Sequence, residues 1–189
     1  MSTFYRFFGL AIVLISFGLL VSALPSPRDD DTAWVIVGTD PLCELLKEFF
    51  VKARVCLDVI AECQDLVKLK ADIAIFVALC NAHAAQLLKV GADVKVTAEA
   101  QASIVACYAA MITLLVKACL SLTVKFGLAV IIAICVEVDA ALSLVLKNLD
   151  LCIKGVVVLI IQACGNAVVG GFAQLKFKLC AALFASLSV

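Results

Sequence analysis

Apolar and polar residues alternate with a helical period from Asp40 to about residue 69. At 100° per residue, the charged side chains fall on one face of a helix and most of the large apolar side chains on the other. Asp40 followed by Pro41 is a helix start signal, because Asp is favoured at the N-cap and Pro at the first helical position. The pattern therefore predicts an amphipathic helix that begins at Pro41, with Cys56 and Cys63 on its core-facing side.

The charged cluster Lys68–Asp72 predicts a turn after this helix. A second helix follows, and Gly91 ends it. Together the two helices form a first hairpin over about residues 41–90. Residues 91–97 are expected to be a linker, with Thr97 as the N-cap of the next helix.

The second half of the chain is apolar nearly all round, and its cysteines repeat. Two copies share a spacing of 12 and then 16 residues and are offset by 45: Cys107, Cys119, Cys135 and Cys152, Cys164, Cys180. A fixed period of this size is typical of duplicated supersecondary units. The turn dipeptide Gly165-Asn166 lies halfway between the outer cysteines of the second copy, and Ser121 lies halfway in the first.

Two antiparallel helices that meet at these midpoints bring the outer cysteines level with each other. We therefore predict hairpins over about residues 98–147 and 150–187, with Asp150 as a cap and with the disulfides Cys107–Cys135 and Cys152–Cys180. Neither pair could bond within one helix, because 28 residues of helix span about 42 Å. A disulfide needs Cα atoms within about 7 Å of each other.

All ten cysteines follow residue 23, and an even number in a secreted chain is typical of a disulfide framework. Cys80 is expected to bond to Cys56 or to Cys43. Cys56 is favoured because it faces the core and centres the turn on Lys68, whereas Cys43 lies nearer the edge of the first helix. The other bridges would join hairpins in an order that the sequence leaves open, through Cys43, Cys63, Cys119 and Cys164. The predicted fold is an all-α, disulfide-stapled bundle of about six helices. It forms one domain over residues 41–189, in three hairpins of which the last two are a 45-residue duplication.

The N-terminal residues 1–23 have the pattern of a secretory signal peptide. Arg6 supplies the positive charge, an apolar stretch follows, and Val21-Ser22-Ala23 places small residues at a cleavage point. An uncleaved signal anchor is the alternative. Residues 24–40 are expected to be an irregular leader, and the chain to be secreted, extracellular or in the cell wall.

The chain is 65% apolar, against about 45–50% in typical globular domains. This excess predicts either an apolar cavity or a surface shared with an interface, a membrane or another copy. The formal net charge is zero, and loss of Arg6 leaves an excess of one acidic group. Nothing in this balance favours nucleic acid as a partner. Residues Gly155–Leu175 carry no charge and are long enough to span a membrane, so an integral membrane protein is an alternative.

Candidate chemistry is sparse. No Cys-x-x-Cys motif occurs and His83 is the only histidine, so no metal and no cofactor are expected. We expect His83 on the surface or half-buried in a helix. Glu137 and Asp139 diverge by about 200° on a helix, so each is expected to face solvent or to pair with a lysine rather than to form a catalytic pair. Gly170-Gly171 is expected to permit close helix packing or a kink.

The layout of the whole chain resembles that of secreted structural cell-wall proteins of basidiomycete fungi. The features that carry the resemblance are the signal peptide, the length, the hydrophilic front half and the very hydrophobic back half. The resemblance implies a role in hyphal attachment to hydrophobic surfaces and in aerial growth, and it transfers no functional residue. Fungal hydrophobins differ, since they carry adjacent cysteine pairs in a β-rich fold.

We therefore expect a secreted, non-enzymatic protein that is surface-active or associated with the cell wall. Its partners would be hydrophobic interfaces, lipid or wall components, or further copies of itself. A soluble carrier that holds lipid or sterol in an apolar cavity is the alternative function, and an integral membrane protein is the second alternative.

Overall fold

A computed structural model of the chain describes residues 34–187, and this part is helical without any strand. The predictions for residues 1–33, including the signal peptide, lie outside the described residues. Six helices follow one another: α1 Pro41–Glu62, α2 Leu66–Val90, α3 Ala98–Phe126, α4 Leu128–Cys152, α5 Val156–Leu175 and α6 Lys178–Leu187. The prediction of an all-α fold with about six helices is confirmed.

At three of the predicted helix starts, a side-chain oxygen accepts backbone N–H groups. Asp40 accepts from the N–H of Cys43 at 2.9 Å, and Thr97 accepts from the N–H of Ala100 at 3.1 Å. Asp150 accepts from the N–H groups of Gly155 and Val157 at 3.1 and 3.2 Å, where α5 begins. These capping predictions are confirmed.

The first turn lies at Cys63–Asp65 rather than at Lys68–Asp72. The Asp65 carboxylate accepts a hydrogen bond from the N–H of Lys68 at 2.8 Å and caps α2. The predicted position was wrong because lysine and leucine are good helix formers, so the charged cluster forms the start of α2. An N-cap acceptor determines the turn, and the accumulation of charge does not.

The turns of the back half also differ from the prediction. Ser121 lies inside α3, which continues until Gly127 adopts a positive φ of 87°. Gly165 has a φ of 71° and only kinks α5, and the chain reverses later, at Lys176. Both predicted turns were wrong, because midpoints between cysteines are not positions where the backbone must reverse. The two cysteine repeats therefore turn at non-equivalent positions, and the 45-residue duplication stays a prediction.

The helices pack in three layers. The first layer is α1 beside α2, the middle layer is α3 beside α4, and the last layer is α5 beside α6. In the middle layer, α3 contacts α1 and α5, while α4 contacts α2, α5 and α6. The linker between α2 and α3 is attached to the middle layer. The N–H groups of Asp93 and Val94 donate hydrogen bonds to the carbonyls of Leu151 and Cys152 at the end of α4.

One glycine determines how closely the last layer approaches the middle one. A Cβ atom on Gly171 of α5 would collide with the Cγ1 atom of Val116 in α3. Only hydrogen fits between the α5 backbone and the Val116 side chain at this point. The expectation that Gly170-Gly171 permits close packing is confirmed at Gly171.

The segment before α1 is irregular but packed. Trp34 meets Phe50 edge-on with ring centroids 6.1 Å apart, and Ile36 is buried. The N–H of Val37 donates to the hydroxyl of Ser103 at 3.0 Å. The segment therefore covers the start of the α1–α3 contact.

Candidate functional site

The ten cysteines are free thiols in the structure, and no pair lies at disulfide distance. One pair is in contact, because the Sγ atoms of Cys119 in α3 and Cys135 in α4 are 3.6 Å apart. Disulfide bonding as such stays a prediction. What the structure adds is the position of each sulfur.

Cys107 and Cys135 are not neighbours in this packing. Cys135 faces Cys119, which follows Cys107 by 12 residues of α3, or about 18 Å of helix. The reason is the position of the turn: reversal at Gly127 brings residue 119, and not residue 107, level with residue 135.

Cys152 and Cys180 are also separated. The Cys152 thiol donates to the carbonyl of Leu87 at 3.3 Å, whereas the Cys180 thiol points to the carbonyl of Asp139 at 3.6 Å. Asp139 and Cys152 are 13 residues apart on α4, about 20 Å along its axis. A bond in either predicted pair requires helix positions that differ from those described.

In the first hairpin, the expected burial of two cysteines is reversed. Cys43 is fully buried and Cys56 only half-buried. The segment before α1 covers Cys43, whose thiol donates to the carbonyl of Val37 at 3.4 Å. Cys56 lies at the rim between α1 and α2, close to Cys80. Burial raises the pKa of Cys80, and the negative charge of a Cys56 thiolate raises it further.

Burial makes most of these thiols unreactive. It raises the pKa of four of them to about 12, namely Cys43, Cys80, Cys107 and Cys164. Burial also raises the pKa of Cys180, with a further contribution from its hydrogen bond to Asp139. Since the thiolate is the reactive form, these side chains act as small apolar groups in the folded protein.

A buried polar pair lies between α2 and α3. His83 Nε2 is 2.9 Å from the hydroxyl oxygen of Tyr108, and His83 is only 1% exposed. The expectation of a surface or half-buried His83 was wrong, because Phe49 of α1 stacks on the imidazole with centroids 3.8 Å apart. Phe50 meets the Tyr108 ring edge-on at 4.8 Å.

Both members of this pair are neutral near pH 7. Burial lowers the pKa of His83 to about 3 and raises that of Tyr108 well above its usual value. His83 Nδ1 has no hydrogen-bond partner within the described residues, and it borders a cavity of about 100 Å³ with Lys52 and Gln86 among the lining. Tyr108 is the hydrogen-bond partner of His83 Nε2, so this side of the imidazole is already engaged inside the fold.

Asp139 is buried at the contact between α4 and α6. Its carboxylate oxygens accept hydrogen bonds from the N–H groups of Leu179 and Cys180 at 2.8 and 2.9 Å. The expectation that Asp139 faces solvent was wrong, because α6 brings its unsatisfied N-terminal N–H groups to this carboxylate. Glu137 is exposed, and the two carboxylates do not share a site.

Between Trp34 and Leu187, no group of histidine, cysteine, aspartate and glutamate side chains is arranged to hold a metal ion. One feature of the sequence points to the buried polar pair: Tyr108 lies in a long apolar stretch, so its hydroxyl needs an internal partner. Nothing local identifies that partner as His83.

The two outer layers differ in charge. The α1–α2 layer carries exposed acidic and basic side chains, with ion pairs Glu44–Lys47 and Glu48–Lys52 on α1. In contrast, α5 has no charged residue and α6 has only Lys178. The exposed positions of the α5–α6 layer include Leu159, Val169 and Leu179 together with several alanines.

Length and composition would allow four helices, α2 to α5, to cross a membrane.

No protein family matches the chain, and neither a curated protein nor a solved structure is similar to it at a significant level.

Proposed function

We propose that the protein is a non-enzymatic, surface-active structural protein that lays its uncharged α5–α6 layer against an apolar phase. The observation that carries the proposal is the difference between the two outer layers. One is charged and the other lacks charge except for Lys178 and the turn residue Lys176. A bundle with this asymmetry is an amphiphile on the scale of the whole fold.

The energetic argument follows from the exposed side chains. Leu159, Val169 and Leu179 remain 39–48% exposed in the folded chain. Apolar side chains of α1 and α2, such as Val51 and Val67, are also exposed, but they share their layer with charged groups. Removing apolar surface from water stabilises the contact by about 2.5 kcal/mol per 100 Å². Placing this layer at an air, oil or wall surface therefore lowers the free energy without unfolding the core, while the charged α1–α2 layer stays hydrated.

The proposal includes an extracellular location. It rests on the signal-peptide pattern of residues 1–23 and on the resemblance in layout to secreted cell-wall proteins of basidiomycetes. In that setting the apolar phase would be the air boundary, a hydrophobic solid or the wall, or the α5–α6 layer of a second copy.

Adsorption tests this function. Chain processed by a secreting host is purified, and the surface tension of its solution is followed at the air–water boundary and on Teflon. We expect a steady fall in surface tension with helical circular dichroism retained in the adsorbed film. A surface tension equal to that of buffer, together with a clean monomer at all concentrations, would contradict the proposal.

An integral membrane protein is the second candidate, favoured by the four helices that are long and apolar enough to cross a bilayer. In α5, however, Gln162 and Asn166 interrupt the apolar stretch and Gly165 kinks the helix. Alkaline carbonate extraction of host membranes separates the candidates. An integral protein stays in the pellet, whereas a surface-active one is released.

The carrier hypothesis has less support. The cavity beside His83, at about 100 Å³, is smaller than the roughly 300–1,000 Å³ of typical ligand pockets. A depression of about 440 Å³ at the start of α1 is large enough, but Asp40 and Lys89 are part of its lining. Native mass spectrometry for co-purified lipid tests this alternative.

A further inference from the structure

The turn at Gly127 places two cysteines directly opposite each other. Gly127 is eight residues from Cys119 and eight residues from Cys135, so the two are level in the antiparallel pair α3–α4. Their Sγ atoms are 3.6 Å apart, and both side chains are buried at 2% exposure or less. Neither residue belongs to the surface on which the proposed function rests.

We infer that Cys119 and Cys135 are a disulfide site that links α3 to α4 across the Gly127 turn. A disulfide bond is about 2.05 Å long, so the sulfurs must approach by about 1.5 Å for the bond to form. This pairing replaces Cys107–Cys135 as the bond of the first cysteine repeat.

The other thiols with polar contacts are already directed elsewhere. Those of Cys43, Cys63, Cys152 and Cys180 point to backbone carbonyls, of Val37, Asp65, Leu87 and Asp139 respectively. Cys135 points to another sulfur instead. The contact therefore distinguishes this pair from the remaining cysteines by geometry and not by spacing.

The second cysteine repeat provides an internal comparison. Cys164 and Cys180 have the same spacing of 16 residues, and a turn at Phe172 would make them level. The chain instead reverses at Lys176, and Phe172 is still inside α5. Equal spacing without the matching turn brings no sulfur contact, so the position of Gly127 is what creates the site.

The bond requires an oxidant, and a small-molecule disulfide such as oxidised glutathione provides the balanced reaction. One cysteine thiolate attacks the glutathione disulfide and releases one glutathione thiolate, which leaves a mixed disulfide. The second cysteine attacks that bond and releases the other glutathione. In sum, two protein thiols and one disulfide become one protein disulfide and two glutathione thiols, in the ordinary course of thiol–disulfide exchange.

The reaction belongs to folding rather than to the folded state. The hydrogen bond to Cys135 and burial both raise the pKa of Cys119, so the closed core contains little of the attacking thiolate. The pair therefore bonds while α3 and α4 come together and is then shielded from external reductant.

Peptide mapping of the full chain tests the site. The chain is refolded in a buffer of reduced and oxidised glutathione, alkylated under denaturing conditions and cut with trypsin without reduction. Cleavage after Lys117, Lys125 and Lys147 puts Cys119 in residues 118–125 and Cys135 in residues 126–147. We expect these two peptides to be linked. A link from 126–147 to residues 96–117, which contain Cys107, would overturn the inference, and so would alkylated Cys119 and Cys135 in folded protein.

Thermal unfolding gives an independent readout. Wild type refolded in the glutathione buffer is expected to melt about 5–10 °C higher than the same protein kept reduced, because the bond closes a loop of about 15 residues. Cys135→Ala should lose this redox-dependent difference. Cys164→Ala, which removes another buried thiol, should keep it. A Cys135→Ala protein that retains the whole difference would contradict the inference.

Discussion

The carboxylate of Asp139 in α4 accepts a hydrogen bond of 2.9 Å from the backbone N–H of Cys180 in α6, 41 residues away in the sequence. The same carboxylate holds the N–H of Leu179 at 2.8 Å. One buried side chain thus satisfies two of the free N–H groups at the start of α6 and carries a negative charge where the helix dipole favours it. The short last helix is fixed to the middle layer through this contact.

Replacing Asp139 should therefore release α6. We expect Asp139→Ala to lower the free energy of unfolding by about 1–3 kcal/mol, because two buried N–H groups lose their acceptor. Asp139→Asn keeps one acceptor oxygen and should cost less. Urea unfolding followed by circular dichroism measures both. Glu137→Ala is the matched control on the exposed face and should stay within about 0.5 kcal/mol of wild type. Equal effects at the two positions would contradict the capping role.

The buried histidine should make stability depend on pH. The folded-state pKa of His83 is lowered to about 3 from an unfolded value of 6.5, so the unfolded chain takes up the proton first. The contribution of the buried neutral His83 to the free energy of unfolding is complete above pH 6.5 and is lost as the pH falls towards 3. Relative to His83→Gln, wild type should lose roughly 3 kcal/mol between pH 7 and pH 4. Urea unfolding at each pH measures the difference, since other titrating groups are common to both proteins. Parallel stability curves would rule out the buried neutral imidazole.

The close approach of α5 to α3 predicts a coupled effect of two substitutions. Gly171→Ala should destabilise the protein by about 1–3 kcal/mol, because the new methyl group meets Val116. On a Val116→Ala background the same change should cost much less, since space for the methyl group exists there. The free energies of unfolding of the four proteins form a double-mutant cycle. An equal cost in both backgrounds would show that the two residues do not contact each other.

Local signals in the sequence were sufficient for much of the fold. Asp40, Thr97 and Asp150 each cap a helix whose first N–H groups lie within seven residues of the cap, so the interaction can be predicted from spacing. Turns were less predictable. Charge at residues 68–72 and the midpoints of cysteine pairs favour reversals that the backbone does not make, whereas Asp65 and Gly127 provide the cap and the positive φ that it uses.

The buried polar groups could not be predicted, because their partners are distant in sequence. His83 and Tyr108 are 25 residues apart and meet because α2 and α3 both pack against α1. Asp139 looks like an ordinary surface charge until α6 folds back onto α4. Similarly, the level pairing of Cys119 with Cys135 depends on a turn six residues beyond the expected one.

Matched charge substitutions on the two outer layers test directly whether the α5–α6 layer is the adsorbing face. One variant carries Leu159→Glu and Val169→Glu on α5, and its control carries Val51→Glu and Val55→Glu on α1, all at exposed positions. Both should keep the wild-type circular dichroism spectrum, since surface changes of this kind cost little stability. The measurement is surface pressure at the air–water boundary at equal protein concentration. We predict that the α5 variant loses most of the wild-type surface pressure and that the α1 variant retains it. Equal surface pressures for the two variants, or a larger loss in the α1 variant, would contradict the assignment of the α5–α6 layer as the adsorbing face.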